Sequence, residues 1–403
     1  MRTLRLAPTT STPLLAVAFA LLAAGCAETA PPGDGAEIGA EDGPPASTAV
    51  EADPAIVLDA SIPATADVFR IDSIAEGVWV AEVIASPAAY AFASSVVVAG
   101  DDGLLVVDTQ QSPSAAGALI RWLRERFEQP VRWVVNTHFH GDHVNGNSAY
   151  RSAWPEVEIV ALASVPEAIR PDGLARIQGV LEEIPAVLEE RQGWLDSGTG
   201  PDGNPLTDAQ RERLDYSVRV NRRYVAELRG LAEALERTVP DRTVDAPRTL
   251  DHGGRTVQIL PVGPAHTVGD LIAWVADVRL AAVGDVLEEA APWIEGADLH
   301  GWAEALAAIR GLEPDHVVAS HASASAGPRL LEGEAPLFAD LVTAAEAAAV
   351  SAAEVSPDER VAAVVAALEP HRDFLQSVGV VDDAFTEWAE AAARQALAEA
   401  GAR

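Results

Sequence analysis

The segment His138-Phe-His-Gly-Asp-His143 constrains this chain more than any other stretch of it. It places four side chains of metal-ligand type in six positions, directly after the apolar run Val131-Arg-Trp-Val-Val135. Two histidines one residue apart after a strand can face the same side, while Asp142 and His143 reach a neighbouring position. Imidazole nitrogen and carboxylate oxygen together suit zinc, manganese or iron. Four such groups exceed what one tetrahedral ion takes from a single turn, so the spacing points to two ions side by side. Gly141 and Gly146 let the backbone wrap closely there. The plain alternative is a solvated polar loop. It is disfavoured because later strand ends supply matching partners, in Pro264-Ala-His266-Thr, Val283-Gly-Asp285 and Ala319-Ser-His321. Ligands converging from several strand ends are a common construction for such sites.

The surrounding pattern predicts an α/β protein. Strands are expected at 78–84, 94–99, 104–107, 131–135, 157–161, 256–260, 271–275, 280–283 and 316–319, with a helix over 115–127. Residues from about 166 to 240 differ. Leu174, Ile177, Leu181, Ile184 and Leu188 recur at helical spacing, as do Leu214, Val218, Val225, Leu228, Ala232 and Leu235, with Asn221 interrupting the seam. This reads as an inserted helical hairpin, a packing element before a lid or a dimer surface. Residues 331–403 read as a helical extension broken at Pro357 and Pro370. The metal-bearing domain is therefore expected over 57–330.

At 403 residues and 49% hydrophobic content the chain can bury a sizeable core. Its formal charge is −33, and it contains no lysine. The missing lysine excludes a phosphate-loop lysine, a Schiff base and a Ser-Lys pair. The negative charge disfavours nucleic acid as a partner. Arg2 and Arg5 precede the short apolar run Leu14–Ala24, which ends at Leu22-Ala-Ala-Gly-Cys26, where the only cysteine stands. Residues 1–26 thus resemble a bacterial lipoprotein signal, with Ala23 where leucine is commoner, and the alternative is an ordinary cleaved signal. The expectation is an exported protein on the periplasmic face of the cell envelope, anchored through a lipid on Cys26, or else periplasmic or secreted. Residues 27–56, rich in Ala, Pro, Gly, Glu and Asp, read as a disordered tether.

The order HxHxDH, then His266 near Gly-Asp, then Gly284-Asp285, then His321 after an apolar strand, resembles the metallo-β-lactamase superfamily over roughly residues 68–330. The insertion and tail are similar to those of a broad group of bacterial cyclase-like or metallo-hydrolase members. The resemblance implies a four-layer αββα sandwich with two divalent ions at one edge, zinc in first place and manganese or iron as alternatives. It implies His138, His140 and His266 on the first ion, Asp142, His143 and His321 on the second, and Asp285 bridging. It further implies a bridging water made nucleophilic near neutral pH, which Asp142 helps to orient, with Thr137 and Asp108 behind the ligands. Two departures narrow the reading. Asp285 stands where one antibiotic-hydrolysing subgroup carries Cys, and His321 lacks the usual flanking glycines.

The function expected is hydrolysis of a small ester, thioester, lactone or amide, with β-lactams secondary. The alternative is a mononuclear iron oxidoreductase resembling the persulfide dioxygenases, and behind it a non-catalytic envelope binding protein. Of the other histidines, His252, His316 and His371 read as structural. His300 is the one with a route toward the pocket, and Trp293 and Trp302 read as packing.

Overall fold

The computed structural model describes residues 62–84, 89, 91–170, 174–233, 238–351 and 355–403. The expected signal at 1–26 with Cys26, and the tether at 27–56, lie outside the described residues.

The first half runs β1 (Phe69–Ala75), β2 (Val78–Val83), β3 (Ser95–Ala99), β4 (Leu104–Val107), α1 (Pro113–Arg126) and β5 (Val131–Val135). It continues through α2 (Gly141–Val144), α3 (Asn147–Ala153), β6 (Glu158–Leu162), α4 (Ser164–Ala168), α5 (Leu174–Ser197), α6 (Asp208–Glu233) and β7 (Arg242–Val244). The second half holds β8 (Arg248–His252), β9 (Arg255–Pro261), β10 (Leu271–Val275), β11 (Leu280–Glu288), α7 (Leu299–Gly311) and β12 (His316–His321). It closes with α8 (Gly327–Ala349), α9 (Pro357–Leu368), α10 (Arg372–Ser377) and α11 (Asp382–Ala402). The first sheet is seven-stranded, in the order β1 to β7, and the second is five-stranded, in the order β12-β11-β10-β9-β8. β1 to β4 pair antiparallel and β4 to β7 parallel.

Side-chain alternation shows why the sheets stack. In β4, Leu105 and Val107 face the inner core, while Leu104 and Val106 face the outer one. In β10, Leu271, Ala273 and Val275 point inward, and Ile272 and Trp274 outward. One apolar cluster therefore lies between the sheets, one between the first sheet and α1, and one between the second sheet and the C-terminal helices. Continuous Val/Ile/Leu runs are what strands covered on both faces require. The result is the αββα sandwich expected from the sequence.

Local signals set the helix ends. Ser112 accepts from Ala115 N ahead of Pro113 in α1, and Ser356 with Glu359 forms a reciprocal capping box at α9. Three strands escaped the sequence reading, namely β1, β7 and β8. All three carry polar residues and lie at sheet edges, so none shows an apolar run. One boundary also needs correction. Asp285 does not end its strand, because β11 continues to Glu288.

The inserted helices use their seam on each other. Ile184, Leu188, Val218 and Val225 form a small core between α5 and α6. A second cluster joins Ile177, Val220, Tyr224 and Leu228 to Phe139 and Val144 of the metal-motif loop. The hairpin packs on that loop and, through Ala161, Val165 and Ile169 of the same cluster, on β6 and α4. Downstream of residue 330, Leu341, Val364, Phe385 and Ala389 share one core with Ile272, Val283 and Val317 of the second sheet.

Candidate metal centre

The seven residues singled out in the sequence come together at one edge of the sandwich. His138, His140, His266 and Asp285 offer ligand atoms within 4.8 Å of one another, and so do Asp142, His143, Asp285 and His321. Asp285 belongs to both groups.

Five connections deliver these side chains. β5 runs into the loop carrying His138 and His140, and α2 turns Asp142 and His143 inward. The β9–β10 connection supplies His266, β11 supplies Asp285, and β12 ends on His321. Leu271 N donates to Thr137 O at 2.9 Å, so the two sheets are tied where the ligands meet. Gly284 allows a close approach between the two sheets. Its φ is +61°, and a Cβ there would lie 2.6 Å from Thr137 Oγ1. The register of β11 against β12 shifts around it, which turns Asp285 into the cluster. At Gly146 a Cβ would collide with the Thr109 carbonyl, so glycine is required for the loop to close.

Asp108 organises the ligands from behind. At 1% exposure it accepts from Thr137 N, Thr137 Oγ1 and His143 Nδ1, each at 2.8 Å. Because Thr137 Oγ1 gives its proton to Asp108, it accepts from His138 Nδ1 at 3.1 Å. Both imidazoles thereby keep a proton on Nδ1, and with metal present would offer an Nε2 lone pair on the side of Asp285. Asp108 sits at φ +60° and Gln110 at φ +83°, strained backbone of the kind that clusters at functional sites.

The separations are those of neighbouring corners of a coordination sphere. His138 Nε2 lies 3.5 Å from Asp285 Oδ2, and His266 Nε2 lies 3.1 Å from His140 Nδ1. His143 Nε2 is 3.1 Å from Asp285, and His321 Nε2 is 3.0 Å from Asp142 and 3.3 Å from Asp285. Bonds of about 2.0–2.2 Å to a shared ion span such gaps. His138 Nε2 and Asp285 Oδ1 are buried with no hydrogen-bond partner, which a cation would supply. The residues fit divalent metal.

Charge divides the two groups. Burial holds His138, His140 and His266 below the usual imidazole range, His266 at about 4, so these rings are neutral donors. Burial also opposes charge on His143 and His321, but the neighbouring carboxylates outweigh it. Asp285, Asp142 and Asp108 lift His143 well above its usual value, and Asp285 and Asp142 lift His321 to about 10. Burial pushes the Asp142 and Asp285 carboxyls up, yet His143 and His321 hold both well below the usual range. In the metal-free chain, protons on His143 and His321 balance the charge that a metal would balance.

Several residues around the cluster were not anticipated. Asn136 donates to His143 O at 2.9 Å and accepts from Asn147 at 2.8 Å, which fixes α2 against the strand end. Asp270 accepts from Thr267 N and Oγ1 and so braces the loop of His266. Tyr224 of α6 is hydrogen-bonded to Gln111, whose carbonyl accepts from Asn145 at 3.1 Å. The Asn just before the motif and the Asp closing His266-Thr-Val-Gly-Asp270 are visible in the sequence. Tyr224 and Gln111, 113 residues apart, are not.

His300 does not approach the cluster. Its Nδ1 pairs with Glu399 at 2.9 Å, and Glu399 also accepts from the first backbone amides of α7, tying the C-terminal helix to that end. Trp302 packs as expected. It is fully buried, stacked on Phe338 at 4.3 Å, with its ring centroid 6.2 Å from that of His266.

The sequence profile of the Metallo-beta-lactamase superfamily matches residues 90–321. A linear primary-alkylsulfatase of Pseudomonas sp. is 28% identical over 134 residues, which is 29% of this chain and 25% of that relative. The match thus spans about a quarter of the relative's length. Among solved structures, a metallo-beta-lactamase from Pontibacter korlensis aligns at 18% identity and TM-score 0.43, over 68% of this chain and 99% of its own. The mono-zinc form of the metallo-beta-lactamase FIM-1 from Pseudomonas aeruginosa gives 18% and 0.43, over 67% and 95%.

Proposed function

We propose, from the premise that this chain belongs to the metallo-beta-lactamase superfamily, that it is a hydrolase working with two divalent ions, zinc first among them. His138, His140 and His266 with Asp285 would hold one ion, and Asp142, His143 and His321 with Asp285 the other. The observation that carries this reading is the pair of largely buried four-residue groups sharing Asp285. The completeness of the second group favours it over a mononuclear iron oxidoreductase.

The chemistry two such ions supply is water activation near neutral pH and polarisation of the bond to be cleaved. The chain's own residues do the rest. Asp108 and Thr137 hold His143 and His138 in the tautomers that present Nε2. Asp142, at 9% exposure the most open of the three aspartates, is placed to orient the attacking water and take its proton. The αββα core holds the ligands on strands and the short connections after them, where they do not have to reorganise.

The substrate we propose is a small ester, thioester, lactone or amide, with β-lactams secondary. The alkylsulfatase relative adds a sulfate ester to the compounds worth testing. Metal analysis of the purified chain should return two equivalents. Hydrolysis of at least one among a p-nitrophenyl ester, a lactone, a thioester, an alkyl sulfate and a cephalosporin should vanish in a His138→Ala/His140→Ala variant. One metal equivalent, or activity surviving in that variant, would end this reading. We also propose that the chain is exported and carries a lipid on Cys26. A Cys26→Ala variant that stays in the membrane fraction would count against the anchor.

A further inference from the structure

We propose that Tyr224 of the inserted helix α6 is a positioning residue of the second metal position. It acts through Gln111 on the strained connection against which Asp142 and His143 are seated. This deepens the hydrolase reading above and rests on it for what the site does.

The connection 108–111, between β4 and α1, is the seat of α2. Each of its four residues bonds to the stretch 143–146. Asp108 accepts from His143 Nδ1 at 2.8 Å, and Thr109 N and Oγ1 both donate to His143 O at 3.0 Å. Gln110 O accepts from Gly146 N and Gln111 O from Asn145 Nδ2, each at 3.1 Å. Asp108 and Gln110 hold positive φ, a conformation that persists only where its surroundings over-determine it. β3 supplies part of that constraint. Ser95 Oγ donates to Asp108 O at 2.8 Å and accepts from Gln110 Nε2 at 2.7 Å.

α6 constrains the other end of the connection, at two points. Gln111 Nε2 donates to Tyr224 Oη, and Glu227 Oε2 accepts from Ser114 N at 3.1 Å in the first turn of α1. An amide in a first helical turn has no carbonyl partner within its own helix, and a carboxylate suits that end. Tyr224 and Leu228 also share an apolar cluster with Phe139 and Val144. The same helix thus touches both the connection and the loop that rests on it. Tyr224 is 4% exposed, so water does not compete for its bond to Gln111. Burial pushes its hydroxyl up, and the Asp142 carboxylate adds to the rise, so the phenol lies within electrostatic reach of a ligand of the second ion. His266, a ligand of the first ion, is braced separately by Asp270 through Thr267. Loss of the Gln111 anchor therefore falls on Asp142 and His143.

The competing account is that Tyr224 only docks the hairpin. The two accounts differ in which ion feels the hydroxyl. Competition with a chromophoric chelator would give the zinc affinities of the full chain, of Tyr224→Phe, of Gln111→Met and of the double variant. Tyr224→Phe keeps the ring in its apolar cluster and removes only the hydroxyl. Gln111→Met removes the other partner and keeps the carbonyl that Asn145 uses. Each should weaken one zinc equivalent about tenfold, the lower end of what loss of an outer partner costs, and leave the other within about twofold. The retained equivalent should match the one that remains in His321→Ala, which lacks a ligand of the second ion. The double variant should bind like either single one, because both remove the same contact. The two single variants test that contact from either side, so if one fails to fold the other decides. Equal weakening of both equivalents would overturn the proposal. So would a lowered melting temperature with both affinities intact, which is the docking account. Selective weakening in a chain that hydrolyses none of the esters would support the positioning role and sink the hydrolase reading instead.

Discussion

Replacing Asp108 by Asn tests whether the residues behind the cluster control the second metal position. The substitution is close to isosteric, and the backbone amide of Thr137 dictates its orientation. That amide donates to Oδ1 at 2.8 Å, so the asparagine oxygen must take the Oδ1 place. The side-chain NH2 then occupies the Oδ2 place, facing His143 Nδ1 and Thr137 Oγ1, each 2.8 Å away. The hydroxyl can rotate and accept. The imidazole can accept only by moving its proton to Nε2, the atom that faces Asp285 and Asp142. His143 would then turn an N–H toward the ion in place of a lone pair. Loss of such an outer partner weakens metal binding by about 10–100-fold, or about 1.4–2.8 kcal/mol. Competition against a chromophoric chelator, with stoichiometry followed by metal analysis, should show one equivalent weakened by that factor and the other held near the parent's affinity. Two equivalents with unchanged affinities would refute the tautomer argument. Equal weakening of both would show that Asp108 serves the loop as a whole.

Other expectations follow from the same geometry. Gly284→Ala forces a left-handed φ on a residue with a Cβ and drives that Cβ against Thr137. It should cost about 1–3 kcal/mol in chemical denaturation and displace Asp285, lowering metal content; a stable, fully loaded variant would contradict the role given to this glycine. In the metal-free chain, burial pushes the Asp270 carboxyl from an ordinary 3.8 up to about 7. The folded state therefore holds this proton more tightly than the unfolded state, and the stability it contributes is greatest below about pH 4 and fades as pH rises through about 7. Asp270→Asn should flatten that part of the stability–pH curve, and an unchanged slope between pH 4 and 8 would exclude the assignment. Glu399→Gln removes the charge that His300 and two amides of α7 share. A loss of about 1–2 kcal/mol is expected in thermal or denaturant unfolding, and no change would mean that solvent screens the contact.

Much of the site was legible because metal chemistry restricts residue types at short spacing. His138, His140, Asp142 and His143 lie in one segment, and each remaining ligand follows or sits in an apolar run that reads as a strand. The two sheets were legible for the same reason, since strands buried on both faces need unbroken Val, Ile and Leu. What stayed hidden was either polar or distant. β1, β7 and β8 occupy edges, where polar residues face water and erase the apolar signal. Asp285 looked like a strand end because Gly284 reads as a break, whereas the chain bulges there and continues. His300 looked free to approach the metals until Glu399, from the far end of the chain, appeared beside it.

The sequence by itself determined which side chains could bind metal, that they would lie in strands or the short connections after them, and that helices would cover the sheets. It did so because ligand chemistry and side-chain period are local properties. The family resemblance implied that Asp285 serves both groups, and the tertiary structure places it within reach of both. Only the tertiary structure decided that Asp108 and Thr137 set the tautomers of two ligands, and that the inserted hairpin sets Tyr224 against Gln111. Each of these is a distance between residues far apart in the chain, and such distances are fixed by how the layers pack.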